Sequence, residues 1–365
     1  MLSRRKAILG GASAVAALAN GTFGLNLVHA APANAAAGRR SRRVPFGACV
    51  NVGPLQKDPE YRAAFAAYCQ QLVPEGGMYW YDLRPNRDQF NFDIADTILT
   101  FADANELPMR GHTLVWHGAM PEWTKQISGA TEAERELTIH IERVVSRYRG
   151  KIRTWHVVNE PIDDPVAGKL VGLRPSLWLQ NLGSKYIDLA FRLAHQIDPS
   201  AELVLNEFGV ETTGADAEAK RPALLALVRD LLARGVPLHG VGLQGHLTGK
   251  AEIDRDRLSQ LVSEFRSLGL SLHVTEFDVA DDDLPASPIV RDAVVAARAY
   301  DLLDAVFAAA RPAAVLTWGI TDRYTWIPMW HKRADGLINR PLPLDQNYRP
   351  KPLWSVIDHF CGQAA

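Results

Sequence analysis

The chain has 365 residues, 47% of them hydrophobic and 22% charged, which suits one large domain or two ordinary ones and excludes intrinsic disorder. Lys and Arg number 40 against 41 Asp and Glu, so no polyanion-binding surface is indicated and nucleic acid is not expected as a partner. Three cysteines, Cys49, Cys69 and Cys361, allow one disulfide at most, and no Cys-x-x-Cys or Cys/His cluster points to zinc.

Ser3-Arg4-Arg5-Lys6-Ala7-Ile8-Leu9 sets paired arginines before a Gly/Ala-rich, mildly apolar stretch, and small-residue sites follow at Val28-His29-Ala30 and Ala33-Asn34-Ala35. Residues 1–36 therefore read as a cleaved twin-arginine export signal, with an ordinary general-secretion signal with a basic start as the alternative. Asn20 and Asn26 interrupt the apolar stretch, so a retained membrane anchor is not expected. Residues 37–44, with Arg39, Arg40, Arg42 and Arg43, read as a solvated linker, and 45–365 as the mature domain, exported to a periplasm or the medium and acting as a monomer.

From Pro45 onward, short apolar runs alternate with helical periodicity. Strands are expected at 46–50, 77–80, 108–116, 152–158, 202–206, 240–244, 272–276 and 314–318, and helices at 132–149, 178–197, 222–233, 256–268 and 289–310. Regular alternation implies a parallel sheet with right-handed crossovers, and eight repeats imply closure into a (β/α)8 TIM barrel. A doubly wound open sheet is the alternative, but no Gly-x-Gly-x-x-Gly or P-loop supports it.

In a barrel the strand C-termini face the site. Taken in order they present Trp80, His112 with Trp116 and His117, Asn159 with Glu160, Asn206 with Glu207, Gln244 with His246, Glu276 with Asp278, and Trp318 with Asp322 and Trp326. Any one of these histidines taken singly is more often structural than functional, and His112 and His117 lack close metal-ligand spacing, so no metal and no organic cofactor is expected. Glu160 and Glu276 on strands four and seven face each other across the barrel, among Trp faces and Asn, Gln and His donors. That set suits glycoside hydrolysis, which needs one carboxylic acid for the leaving oxygen and one carboxylate for the cationic centre. Indole faces stack on sugar rings and carboxamides bond hydroxyls.

The stretches WHVVNEP and HVTEFDV resemble the acid/base and nucleophile motifs of glycoside hydrolase family ten, the retaining endo-β-1,4-xylanases. RGHTLVWHGAMPEW, GVGLQGHL, LTWGITDRYTW and PLPLDQNYRPKPLW resemble four further motifs of that family, in order along the mature chain. The resemblance implies a polysaccharide or oligosaccharide substrate. It makes Glu160 the general acid/base and Glu276 the nucleophile, with Asn159 on the 2-hydroxyl of the sugar at the cut. His246 would bond Glu276 and be oriented by Asp278, and Gln244 would sit beside Glu160. Glu75, Tyr79, Trp80, His112, Trp116, Trp318 and Trp326 would line the sugar site.

The match breaks in one region. Where the family shows Glu-Asn-x-Met-Lys-Trp, this chain has Glu75-Gly76-Gly77-Met78-Tyr79-Trp80, and where it shows Ser-Gln after Trp116-His117, Gly118-Ala119 stand here. By resemblance the missing Asn, Lys and Gln bond sugar on the non-reducing side of the cut, which implies a rebuilt glycone subsite, with the glycines making room. Gly245 for Ser and Glu207 for Asp are expected to retune hydrogen bonds in the site. Two rival readings remain: the same machinery on another β-linked polysaccharide, branched or bacterial, and a carbohydrate-binding pseudoenzyme.

Overall fold

The computed structural model describes residues 44–167 and 169–362, so the expected export signal and all of the expected linker but Val44 lie outside them. Among the described residues nine parallel strands are formed: β1 (Phe46–Val50), β2 (Gln71–Pro74), β3 (Gly111–Val115), β4 (Thr154–Asn159), β5 (Glu202–Glu207), β6 (Gly240–Leu243), β7 (His246–Thr248), β8 (Ser271–Ala280) and β9 (Ala314–Thr317). Eight of them run in the order β2-β1-β9-β8-β6-β5-β4-β3, and the short β7 pairs with the far end of β8. A bridge between Leu72 and Met109 links β2 to β3, with Leu72 N donating to Pro108 O at 3.0 Å and Arg110 N to Leu72 O at 2.9 Å. The sheet therefore closes into a (β/α)8 barrel. Its strands are buried on both faces, which is why they read as continuous apolar runs rather than alternating ones.

The helices pack outside through apolar stripes. In Ala130–Tyr148 the buried positions Ala133, Leu137, Ile141, Val144 and Tyr148 recur at three- and four-residue steps. Side-chain caps fix several starts: Asp254 Oδ1 accepts from Asp256 N and Arg257 N, both at 3.1 Å, at the head of Arg255–Ser267.

Three expectations need correction. The second strand is Gln71–Pro74, not 77–80; Gly77 has φ +86° in a turn and Trp80 opens a short helix, Trp80–Leu83. Gln71 and Pro74 disguise a strand of four residues whose pairing with β1 along Gly47–Val50 is tertiary. The expected helix 178–197 is two, Leu177–Leu182 and Lys185–Ile197, parted by Gly183 at φ +61°. The helix expected to start at Pro222 begins at Ala215, and Arg221 ties the added turns down by donating Nε to Val210 O at 2.7 Å.

Candidate active site

Strand β4 ends at Asn159, and the next residue leaves the strand with φ +54°, a left-handed conformation unusual for glutamate. Glu160 N donates to Asn206 O at 2.8 Å, so the chain is held against β5 while it turns. The turn sends the Glu160 carboxylate toward the barrel mouth. There Oε2 accepts from Trp116 Nε1 at 2.8 Å, and Oε1 accepts from Asn159 Nδ2 at 3.0 Å and Gln244 Nε2 at 3.1 Å.

Glu276 on β8 is buried at the same mouth. Its Oε1 accepts from Asn206 Nδ2 at 2.5 Å, and its Oε2 lies 3.4 Å from His246 Nε2. Asn206 Nδ2 also reaches Asn159 Oδ1 at 2.8 Å, while Asn206 Oδ1 accepts from Thr275 Oγ1 at 2.7 Å. One hydrogen-bonded chain thus runs from Glu160 through Asn159 and Asn206 to Glu276. Behind it, His246 Nδ1 sits 2.8 Å from Asp278 Oδ1, and Asp278 Oδ2 accepts from Trp326 Nε1 at 2.7 Å.

These contacts give the two sides different electrostatics. Burial alone would discharge His246, but Asp278 and Glu276 outweigh it and hold the imidazole well above its ordinary pKa, as a cation. Burial likewise pushes Glu276 upward, yet His112, His246 and the Asn206 donor prevail and keep its carboxyl below the usual range. His112 is itself held low by desolvation, so the positive charge beside Glu276 is that of His246. An ionised, dry carboxylate locked by donors is what a nucleophile needs, and the half-buried Glu160 with three donors is placed for proton transfer.

The other predicted residues divide. His112 and Trp318 stand against each other at 5.1 Å between ring centres, and Trp326 lies 5.1 Å from His246, so all three wall the carboxylates. Tyr79 packs its ring 5.4 Å from Trp116 and 5.8 Å from His112. Glu75 is half-buried and accepts from Asn51 Nδ2 at 2.9 Å, and burial raises its pKa.

Trp80 is a correction: it is 2% exposed, stacks on His140 at 3.8 Å and donates Nε1 to Leu114 O at 2.8 Å, so it belongs to the core behind the barrel and not to the sugar wall. Glu207 is another. In an extended strand consecutive side chains face opposite sides, so Asn206 enters the barrel and Glu207 leaves it. Glu207 is fully buried 3.0 Å from Lys220 Nζ, and burial pushes its carboxyl up to about 7 against the pull of that lysine. Gly77 makes room for no ligand either, since a Cβ there would stand 2.3 Å from Ile94 Cγ2.

His112, His156 and Glu276 bring ligand atoms within 4.8 Å of one another. The two histidine Nδ1 atoms are 2.8 Å apart, the span of one N–H···N hydrogen bond. Two nitrogens tetrahedral on one ion at about 2.0 Å each would stand about 3.3 Å apart, so the pair suits a proton better than a metal. A cavity of about 330 Å³ lies in the loop after β9 around Arg323, Lys332 and Arg333, apart from both glutamates. His156 and the bridging role of Asn206 were not legible from sequence; only the neighbouring strand brings their partners.

The family model for glycosyl hydrolase family 10 matches residues 35–359. Endo-1,4-beta-xylanase B of Paenibacillus barcinonensis is 34% identical over 327 residues, 86% of this chain and 94% of the relative. Endo-1,4-beta-xylanase 3 of Hypocrea jecorina is 31% identical over 319 residues, 87% and 83% of the two chains. The crystal structure of xylanase 10B from Thermotoga petrophila RKU-1 in complex with xylobiose superposes with a TM-score of 0.78 at 30% identity, covering 88% of this chain and 94% of that one.

Proposed function

The chain belongs to glycosyl hydrolase family 10, a retaining family, and from that premise we propose that it cleaves internal β-1,4 bonds of xylan or xylooligosaccharides through Glu160 and Glu276. Glu276 attacks the anomeric carbon while Glu160 protonates the departing oxygen, giving a glycosyl ester. Water then attacks that ester, Glu160 takes its proton, and Glu276 leaves with the original configuration restored. The observation that carries the reading is the Glu160–Asn159–Asn206–Glu276 chain, which couples two carboxylates of unlike surroundings across one cleft. Asn159, oriented by Asn206 and Gln244, is the donor for the sugar 2-hydroxyl. We also read the paired arginines as a signal for export, and the enzyme as acting as a monomer.

One observation favours a second reading of the substrate. Tyr79 fills the wall beside Trp116 and His112, which supports a rebuilt glycone side and, with it, another β-linked glycan. A hydrolysis screen on linear xylan, aryl β-xylobioside, cellulose and mixed-linkage glucan, with Glu276→Ala as control, tests both. Xylan cleavage lost in the variant supports the first reading, and cleavage of another glycan alone selects the second. No cleavage of any substrate returns the protein to the binding class.

A further inference from the structure

Glu160 is followed by a loop that closes on itself. Ile162 bridges Leu173, Asp163 N donates to Gly172 O at 2.9 Å, and Arg174 N donates to Pro161 O at 2.7 Å. Two cations, the half-buried Arg174 and the buried Lys220, grip this loop. Arg174 donates Nε to Glu160 O at 3.2 Å and holds Asp164 with both terminal nitrogens, at 2.9 and 2.8 Å. Lys220, 2% exposed, lies 3.0 Å from Glu207 Oε1 and 3.7 Å from Asp164 Oδ1, over the Phe208 ring at 3.6 Å. Glu207 completes the link, because its Oε2 accepts from Ile162 N at 2.9 Å.

These contacts converge on a backbone that needs them. Glu160 sits at φ +54°, a conformation that a side chain of this kind keeps only when its surroundings over-determine it. Burying a lysine and a glutamate is costly, and the pair touches no part of the sugar cleft, so neither solubility nor substrate contact explains it. We propose that the Lys220–Glu207 pair is a positioning device for proton transfer by Glu160. It fixes the peptide two residues beyond the acid and, through Asp164, the returning strand of the loop. The inference rests on the reading of Glu160 as acid/base. Without the lysine charge, Glu207 is left as a buried lone carboxylate, its bond to Ile162 weakens, and the Glu160 backbone relaxes. The Glu160 carboxyl then leaves the Trp116 and Gln244 donors. Glu276 is untouched, since β8, Asn206 and His246 hold it.

The test separates the acid from the nucleophile. Full-length wild type, Lys220→Met, Glu207→Gln and Glu160→Ala are assayed on phenyl and 2,4-dinitrophenyl β-xylobioside, with circular dichroism to confirm folding. Dinitrophenolate departs without a proton, so loss of acid positioning should lower kcat/KM about tenfold or more on the phenyl substrate and less than about threefold on the activated one. Azide should restore kcat on the activated substrate by replacing the water that needs a base. If Lys220→Met does not fold, the isosteric Glu207→Gln carries the same expectation. Equal losses on both substrates, or no loss on the phenyl substrate, overturn the proposal. If Glu160→Ala shows the split and the pair variants do not, this inference alone fails; if Glu160→Ala shows no split, the acid/base reading fails with it.

Discussion

Replacing Asp278 with Asn should shift the acid limb of the activity profile to higher pH. Asp278 is fully buried, and its Oδ1 holds His246 Nδ1 at 2.8 Å, which keeps that imidazole cationic despite burial. The other ring nitrogen lies 3.4 Å from Glu276 Oε2. Unit charges at that spacing attract by about 5 kcal/mol at an effective dielectric of about 20. If reorganisation leaves even a quarter of this, the effect is about one pKa unit, at about 1.4 kcal/mol per unit. The sign follows from the balance at Glu276, where burial pushes the pKa up and His112, His246 and Asn206 together hold it below its ordinary value. With His246 discharged, burial prevails and the pKa rises. A nucleophile acts only when ionised, so kcat/KM must begin to fall at a higher pH as the solution is acidified. Profiles of kcat/KM on an aryl β-xylobioside between pH 3 and 9 measure this for the free enzyme. An acid limb that stays in place or moves downward would refute the claim that His246 charge sustains Glu276.

Trp80→Ala should cost about 3–5 kcal/mol of stability in denaturant unfolding and leave kcat per folded molecule unchanged, whereas a loss of kcat would return Trp80 to the sugar wall. Gly118→Ala puts a Cβ 2.9 Å from the Trp116 ring and should displace its N–H from Glu160. Losing a bond to a charged group costs about 1.5–3 kcal/mol, so kcat should fall about tenfold or more with little change in Tm. Gly77→Ala must fit φ +86° and a Cβ 2.3 Å from Ile94, and should lose about 1–3 kcal/mol in urea unfolding. Lys220→Met leaves Glu207 buried without its cation and should cost about 3–5 kcal/mol, while Lys220→Met with Glu207→Met should recover much of that.

Much of this protein is written locally. Short apolar runs between amphipathic segments specify a closed parallel barrel, because each strand is buried on both faces and each helix on one. Asn159-Glu160 and Glu276 stand out in the sequence as candidate site residues for a related reason: a carboxylate at the end of a buried strand is conspicuous in a one-dimensional pattern. What the pattern could not separate were two identical dipeptides. Asn159-Glu160 and Asn206-Glu207 close neighbouring strands with the same residues, yet only the first glutamate faces the cleft.

That difference was decided by the tertiary structure. Strand alternation sends Glu207 outward to Lys220, while the left-handed turn at Glu160 cancels the alternation and brings its carboxyl back to the mouth. Trp80 shows the same limit, because an indole reads as a sugar platform in sequence and its burial against His140 depends on a helix sixty residues away, Ala130–Tyr148. Residue type and period are local properties, and so the sequence alone determined the barrel and the chemistry at its mouth. Which way a side chain faces, and which charge meets it there, depends on distant segments, and only the closed barrel decided that.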